Sequence, residues 1–155
     1  MAELEKSIVV NAPLHEVYKQ WTQFEEFPRF MEGVVEVRQL DDKRLLWRAN
    51  IGGREATWEA QITDQTPDQR IAWKSIGGAE NGGAVLFNPV PDGGTEIVLR
   101  IRYEPQGVTE NVGDAFGFVG RRVQGDLERF AKFIEERGRA TAGWTGEIHG
   151  QTVTR

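Results

Sequence analysis

The stretch Val108–Ile134, VTENVGDAFGFVGRRVQGDLERFAKFI, decides the fold. Its apolar residues fall at Val108, Val112, Phe116, Val119, Val123, Leu127, Phe130 and Ile134. The steps are 4, 4, 3, 4, 4, 3 and 4, one face of an α-helix of about seven turns. Apart from a short segment near the start, the chain before it alternates with period two, as strands do. A helix this long lies across a sheet. A curved antiparallel sheet wrapped around it leaves a hollow, and the function is expected in that hollow.

Working back from the helix, Thr95–Tyr103 reads as the last strand, with Ile97, Leu99, Ile101 and Tyr103 facing inward. The turn Pro91-Asp92-Gly93-Gly94 precedes it. A plain two-residue turn there points Leu86 inward, whereas a bulge points Val85 and Phe87 inward. Gly77-Gly78 to Gly82-Gly83 reads as a glycine-rich connection. Gly52-Gly53 is a hairpin signal. If it is the turn, Ile51 pairs with Arg54 and Trp47 lies opposite Trp58, on one face. Ile71, Trp73 and Ser75 continue that face after the turn Thr66-Pro67-Asp68. Val34–Leu40 is a further strand, and Leu4–Val10 is the first. Between those two, Asn11-Ala12-Pro13 opens a short helix with Leu14, Val17, Tyr18 and Trp21 on one face, Asn11 or Ala12 capping and Pro13 in the first turn. Phe24, Phe27, Phe30 and Met31 make a second short piece broken by Pro28.

A chain of 155 residues is most simply one domain, and 39% apolar with 28% charged residues is ordinary globular material. We expect a domain over 1–138 and a tail over 139–155, where three glycines and four threonines show no period. No apolar run approaches the roughly 18 residues of a membrane span. The charged start, Met1-Ala2-Glu3-Leu4-Glu5-Lys6, lacks a signal-peptide core, so a cytoplasmic location is expected. The absence of cysteine excludes disulfides and thiolate chemistry. A net charge of −5 with no basic cluster argues against nucleic acid.

The fold class expected is α+β: a curved antiparallel sheet of about seven strands around one long C-terminal helix, with two short helices after the first strand. Asn11-Ala12-Pro13, Phe27-Pro28-Arg29-Phe30-Met31, Trp58-Glu59-Ala60, Pro67-Asp68-Gln69-Arg70-Ile71, Thr95-Glu96-Ile97 and Asp126-Leu127-Glu128-Arg129-Phe130 occur in an order that resembles the polyketide cyclase/dehydrase and lipid-transport family. That family belongs to the START-like helix-grip superfamily. The resemblance spans roughly Glu3 to Arg137 and implies an apolar cavity between sheet and helix, open at one end.

The expected lining is Trp47, Trp58, Trp73, Phe87, Leu99, Tyr103, Phe116, Val119 and Val123, an aromatic wall for a planar or isoprenoid ligand. The same residues could simply fill a core. Gly113, Gly117 and Gly120 recur along the helix; they serve either close packing or a mobile half that gates the cavity. Trp144 docks either on its own subunit or on a neighbour, so a homo-oligomer through the tail is open. His15 and His149 have no companion at metal spacing, and no metal or other cofactor is expected. Glu25-Glu26, Asp41-Asp42 and Glu135-Glu136 read as solvated charges, and Arg48 with Glu59 as a surface pair. Few ionisable groups face inward. The leading expectation is a binding or carrier protein for a small hydrophobic ligand such as a lipid, isoprenoid or aromatic polyketide-like molecule. The alternative is a cyclase or dehydratase on an aromatic or polyketide-like substrate, and the third is a modulator of a partner protein without a ligand.

Overall fold

The computed structural model describes residues 2–51, 53–78, 81–103, 112–140, 144 and 146–154; the side chains of 2, 51, 54, 78, 103 and 112–120 lie outside the described set. In chain order the elements are β1 (Ala2–Val10), α1 (Leu14–Trp21), a short 3₁₀ helix (Phe24–Arg29), β2 (Val34–Gln39), β3 (Arg44–Ile51), β4 (Arg54–Thr66), β5 (Arg70–Gly78), β6 (Asn81–Pro89), β7 (Thr95–Tyr103), α2 (Val112–Arg137), β8 (Glu147–His149) and β9 (Thr152–Thr154). The main sheet is antiparallel, in the order β1-β7-β6-β5-β4-β3-β2. This is the expected curved sheet with one long C-terminal helix.

Local chemistry sets the register. Gly53 takes φ +86°, and its N–H donates to Asn50 Oδ1 at 3.1 Å. The β3–β4 hairpin then pairs Ile51 with Arg54 and Trp47 with Trp58. At the β6–β7 turn, Val90 N–H donates to the Gly94 carbonyl and Gly93 N–H to that of Val90, with Gly93 at φ +84°. The loop therefore holds one residue more than a two-residue turn. It points Val85 and Phe87 into the core, where they are 0% and 3% exposed. Two register shifts in β4, between Glu59 and Ala60 and between Ile62 and Asp64, bend that strand and bring Gln65 to the inner face.

The expected glycine-rich connection is corrected: Gly77 and Gly78 end β5, and Gly82 and Gly83 lie in β6 opposite Lys74 and Trp73. A side chain on Gly83 would run into the Arg100 carbonyl of β7 first and the Trp73 ring at 3.0 Å next, so glycine there lets backbone and indole both approach closely. The cap of α1 is Pro13 itself, whose carbonyl accepts from Val17 N–H. Asn11 N–H donates instead to Glu135 Oε2 at 2.7 Å, tying the end of β1 to α2.

Among the described residues the sheet has nine strands, the seven in line that were expected and two more from the expected tail. β8 and β9 form a hairpin at Gly150 (φ +61°), and β8 extends β4 through Asp64–His149 and Gln65–Ile148. Ile148 is fully buried. Three-residue strands are too short to show a period, which is why this stretch reads as structureless in sequence.

One end of the sheet's inner face is plugged. Trp21, Phe27, Phe30 and Phe130 interlock edge to face or tilted; Trp21–Phe130 and Phe30–Phe130 centroids are both 5.1 Å apart. Leu127, Phe130 and Ile134 are 0% exposed, so the C-terminal half of α2 anchors the helix.

Candidate functional site

The inner face changes character along its strands. In β4, Ile62 and Ala60 are buried while Trp58 and Ala56 are half-buried. In β5, buried Ile71 gives way to half-buried Trp73 and Ser75. In β6, Phe87 and Val85 give way to Gly83 and Asn81; in β7, Ile97 and Leu99 give way to Ile101. The pairings Ile71–Val85–Leu99 and Trp73–Gly83–Ile101 align these transitions across three neighbouring strands. The open half thus lies on one side of the sheet, beyond the plug.

Three tryptophans occupy it. The Trp47 and Trp58 rings stack with centroids 5.9 Å apart and planes within 4°. Phe27 meets Trp47 edge-on at 5.6 Å, linking the stack to the plug. Trp73 Nε1 donates to Asn81 Oδ1 at 3.2 Å, which fixes the indole and meets its polar demand. Val123 of α2 is half-buried against the same core. Phe87 packs edge-on to Tyr18 and Trp21 at 5.3 and 6.0 Å, so it belongs to the plug, and Leu99, at 6% exposure, sits beside it. Tyr103, Phe116 and Val119, and the glycines Gly113, Gly117 and Gly120, belong to described elements, but their side chains and surroundings lie outside the described set.

A second cluster joins α2 to the loop before β2. Arg122, Asp126 and Arg129 lie on one face of α2. Arg122 Nη1 donates to the Glu32 carbonyl at 2.8 Å, and Arg129 Nε donates to the Phe30 carbonyl at 2.9 Å. Asp126 Oδ1 accepts from Glu32 N–H at 3.0 Å and from Arg129 Nη2 at 2.5 Å. Three side chains of one helix face thereby hold three backbone groups of residues 30–32. Burial pushes the Asp126 carboxyl up to about 6, against the pull of the Arg129 guanidinium. In sequence Asp126 and Arg129 served only as family markers; their spacing with Arg122, beside the apolar stripe, was the available signal.

Among the described residues no group of three or more His, Asp or Glu side chains could hold a metal ion. His15 pairs with Asp68 at 2.9 Å, and His149 with Glu147 at 3.1 Å and Asp64 at 3.5 Å. The expected Arg48–Glu59 pair is corrected: Arg48 reaches Glu36, directly opposite it on β2, and Glu55 on β4, while Glu59 takes Arg44 at 3.1 Å; both β3–β4 pairs lie on the same diagonal of the hairpin, opposite to the one that joins Arg48 to Glu59. Trp144 packs on its own subunit, against the core, with its N–H donating to Thr22 Oγ1 at 3.1 Å. No helix among the described residues is long and apolar enough to cross a membrane.

A relative from Streptomyces lincolnensis, an uncharacterized 17.2 kDa protein, is 48% identical over 149 residues, covering 96% of this chain and 99% of its own. A solved structure from Deinococcus radiodurans is 31% identical with a TM-score of 0.70, covering 89% of this chain and 99% of that one. The Zhui aromatase/cyclase of a Streptomyces species superposes with a TM-score of 0.74 over 92% of this chain and 99% of that one; at 16% identity this likeness is one of fold. Residues 10–132 match the family described as polyketide cyclase / dehydrase and lipid transport, and the chain belongs to that family.

Proposed function

We propose that the protein binds and carries a small hydrophobic molecule, of lipid, isoprenoid or aromatic polyketide-like character, between the open half of the inner face and α2. One observation carries this: in β5, β6 and β7 the inward residues pass from buried to half-buried in step, β4 makes the same change further along, and the half-buried residues include Trp73 and the stacked pair Trp47–Trp58. A core that only filled itself would bury these large rings, since each indole withdraws on the order of 200 Å² from water when covered. A ligand supplies that cover. The family's range supports the same class of ligand.

Cyclisation or dehydration would need side chains that move protons or hold an enolate beside the substrate. Around Trp73 the described inward groups are Ser75 and Asn81, the latter engaged by the indole N–H and by its own backbone bond to Ser75 Oγ. This favours the carrier. Titration with an apolar fluorescent probe tests it: tryptophan emission should fall and the melting temperature rise, with about 2.7 kcal/mol of stabilisation at a hundredfold excess over Kd. No shift with any apolar probe would leave a filled core as the better account. Native mass spectrometry with organic extraction would identify a co-purified ligand. Conversion of a polyketide-like substrate would select the enzyme.

A further inference from the structure

Ser75 stands on the inner face of the open half, opposite Ala60 of β4, and is half-buried. The β5–β6 ladder ends one residue before it, at Lys74–Gly82. Beyond that point a side chain takes over: Asn81 N–H donates to Ser75 Oγ at 3.0 Å. Asn81 is itself placed from two other directions. It pairs with Tyr103 of β7, and its Oδ1 accepts from Trp73 Nε1 at 3.2 Å. On the β4 side the register shifts between Glu59–Gly77 and Ala60–Ser75, so Ile76 is the extra residue of a bulge beside the hydroxyl.

The bond from Asn81 constrains the serine proton. A hydroxyl carries one donor and two acceptor positions. Here the oxygen accepts from an N–H, so its own O–H points elsewhere, and among the described residues no group accepts it. The described inward side chains around it are Asn81 and the partly buried Trp47, Trp58, Trp73, Ile101 and Val123, none of them charged. The open half thus offers one placed donor in an aromatic, neutral setting.

Such a setting discriminates by charge. Taking a carboxylate out of water opposite one neutral hydroxyl costs far more than the single hydrogen bond returns. A ketone or ester oxygen loses much less hydration and needs only one donor. A hydrocarbon of the same shape covers the rings but leaves the hydroxyl without a partner when it displaces water.

We infer that Ser75 is a specificity-determining residue of the hydrophobic site, an inference that rests on the carrier function proposed above. Its hydroxyl donates to an uncharged carbonyl oxygen of the bound molecule. The site therefore takes neutral ketones or esters in preference to acids and to plain hydrocarbons, which removes free fatty acids and unfunctionalised isoprenoids from its range.

The test uses the full chain and three naphthalene probes of similar shape, followed by fluorescence. The first, 6-propionyl-2-(dimethylamino)naphthalene, carries a ketone. The second, 6-propyl-2-(dimethylamino)naphthalene, has a methylene in place of the carbonyl. The third, 6-(dimethylamino)-2-naphthoate, carries a carboxylate. The ketone should bind saturably, and the carboxylate about tenfold more weakly. Ser75→Ala should weaken the ketone about fivefold and leave the propyl compound unchanged. Ser75→Thr, which keeps the hydroxyl, should lose less. Equal losses for ketone and propyl compound in Ser75→Ala, undiminished ketone binding in that variant, or a carboxylate that binds as tightly as the ketone would each overturn the inference and leave the carrier function standing. No saturable binding of any of the three would overturn both.

Discussion

Trp47 and Trp58 face each other directly across the β3–β4 hairpin, their rings 5.9 Å apart and parallel within 4°. The geometry follows from a two-residue turn after Ile51 and from strand alternation. Both rings are only half-buried, although they stand on the inner face. That combination separates them from the plug residues Phe130 and Trp21, which are 0% and 4% exposed.

The difference should appear in stability. Phe130→Ala removes a ring with no exposure and should cost about 3–5 kcal/mol. Trp58→Ala removes a half-covered ring and its stacking, and should cost less, about 1–2 kcal/mol, while lowering the affinity for an apolar probe. Urea unfolding of the two variants, with probe titration of the second, checks this. Equal losses of stability would make Trp58 ordinary core.

Asp126 gives a pH dependence whose sign is fixed. Its carboxyl is pushed up to about 6 in the fold, above the ordinary 3.8, so the folded state holds the proton more tightly than the unfolded state. Its contribution to stability is therefore full below pH 3.8 and is lost as pH rises through about 6. At neutral pH the buried carboxylate costs about 3 kcal/mol. Asp126→Asn keeps an oxygen to accept from Glu32 N–H and Arg129 but carries no charge. It should raise the melting temperature at pH 7 and flatten the profile between pH 4 and 7. A variant less stable at pH 7, with an unchanged slope, would show that the ion pair with Arg129 outweighs desolvation.

Ile148 tests the role of the C-terminal hairpin. It is fully buried, and Ile148→Ala should cost about 2–5 kcal/mol. A cost within a few tenths of a kcal/mol would mean that the hairpin is an appendage. Thermal unfolding decides.

Thr95 is buried at 0% exposure, and its Oγ1 donates to the Ala12 carbonyl at 2.9 Å, joining β7 to the entry of α1. Thr95→Val preserves shape but leaves that carbonyl one partner short, at about 1–2 kcal/mol. The expected reading is a lower urea midpoint with an unchanged slope; a changed slope would point instead to a rearranged native state.

What the sequence determined by itself is what short-range periodicity and turn chemistry encode. Alternation and the Gly52-Gly53 signal placed Trp47 opposite Trp58, and the 4-4-3 spacing marked the helix Val112–Arg137, the expected start at Val108 lying outside the described residues. What tertiary structure decided depends on partners distant in the chain. Asp126 is buried only because residues 30–32 fold over it, some 94 positions away in sequence. Ile148 looks like part of a tail because a three-residue strand carries no period, and it becomes core only against β4; Trp144, outside any strand, finds its place only by packing against that core beside Thr22. Gly83 reads as a loop residue until the Arg100 carbonyl and the Trp73 ring close on it from β7 and β5. Burial of this kind is a property of contacts, and local spacing does not record it.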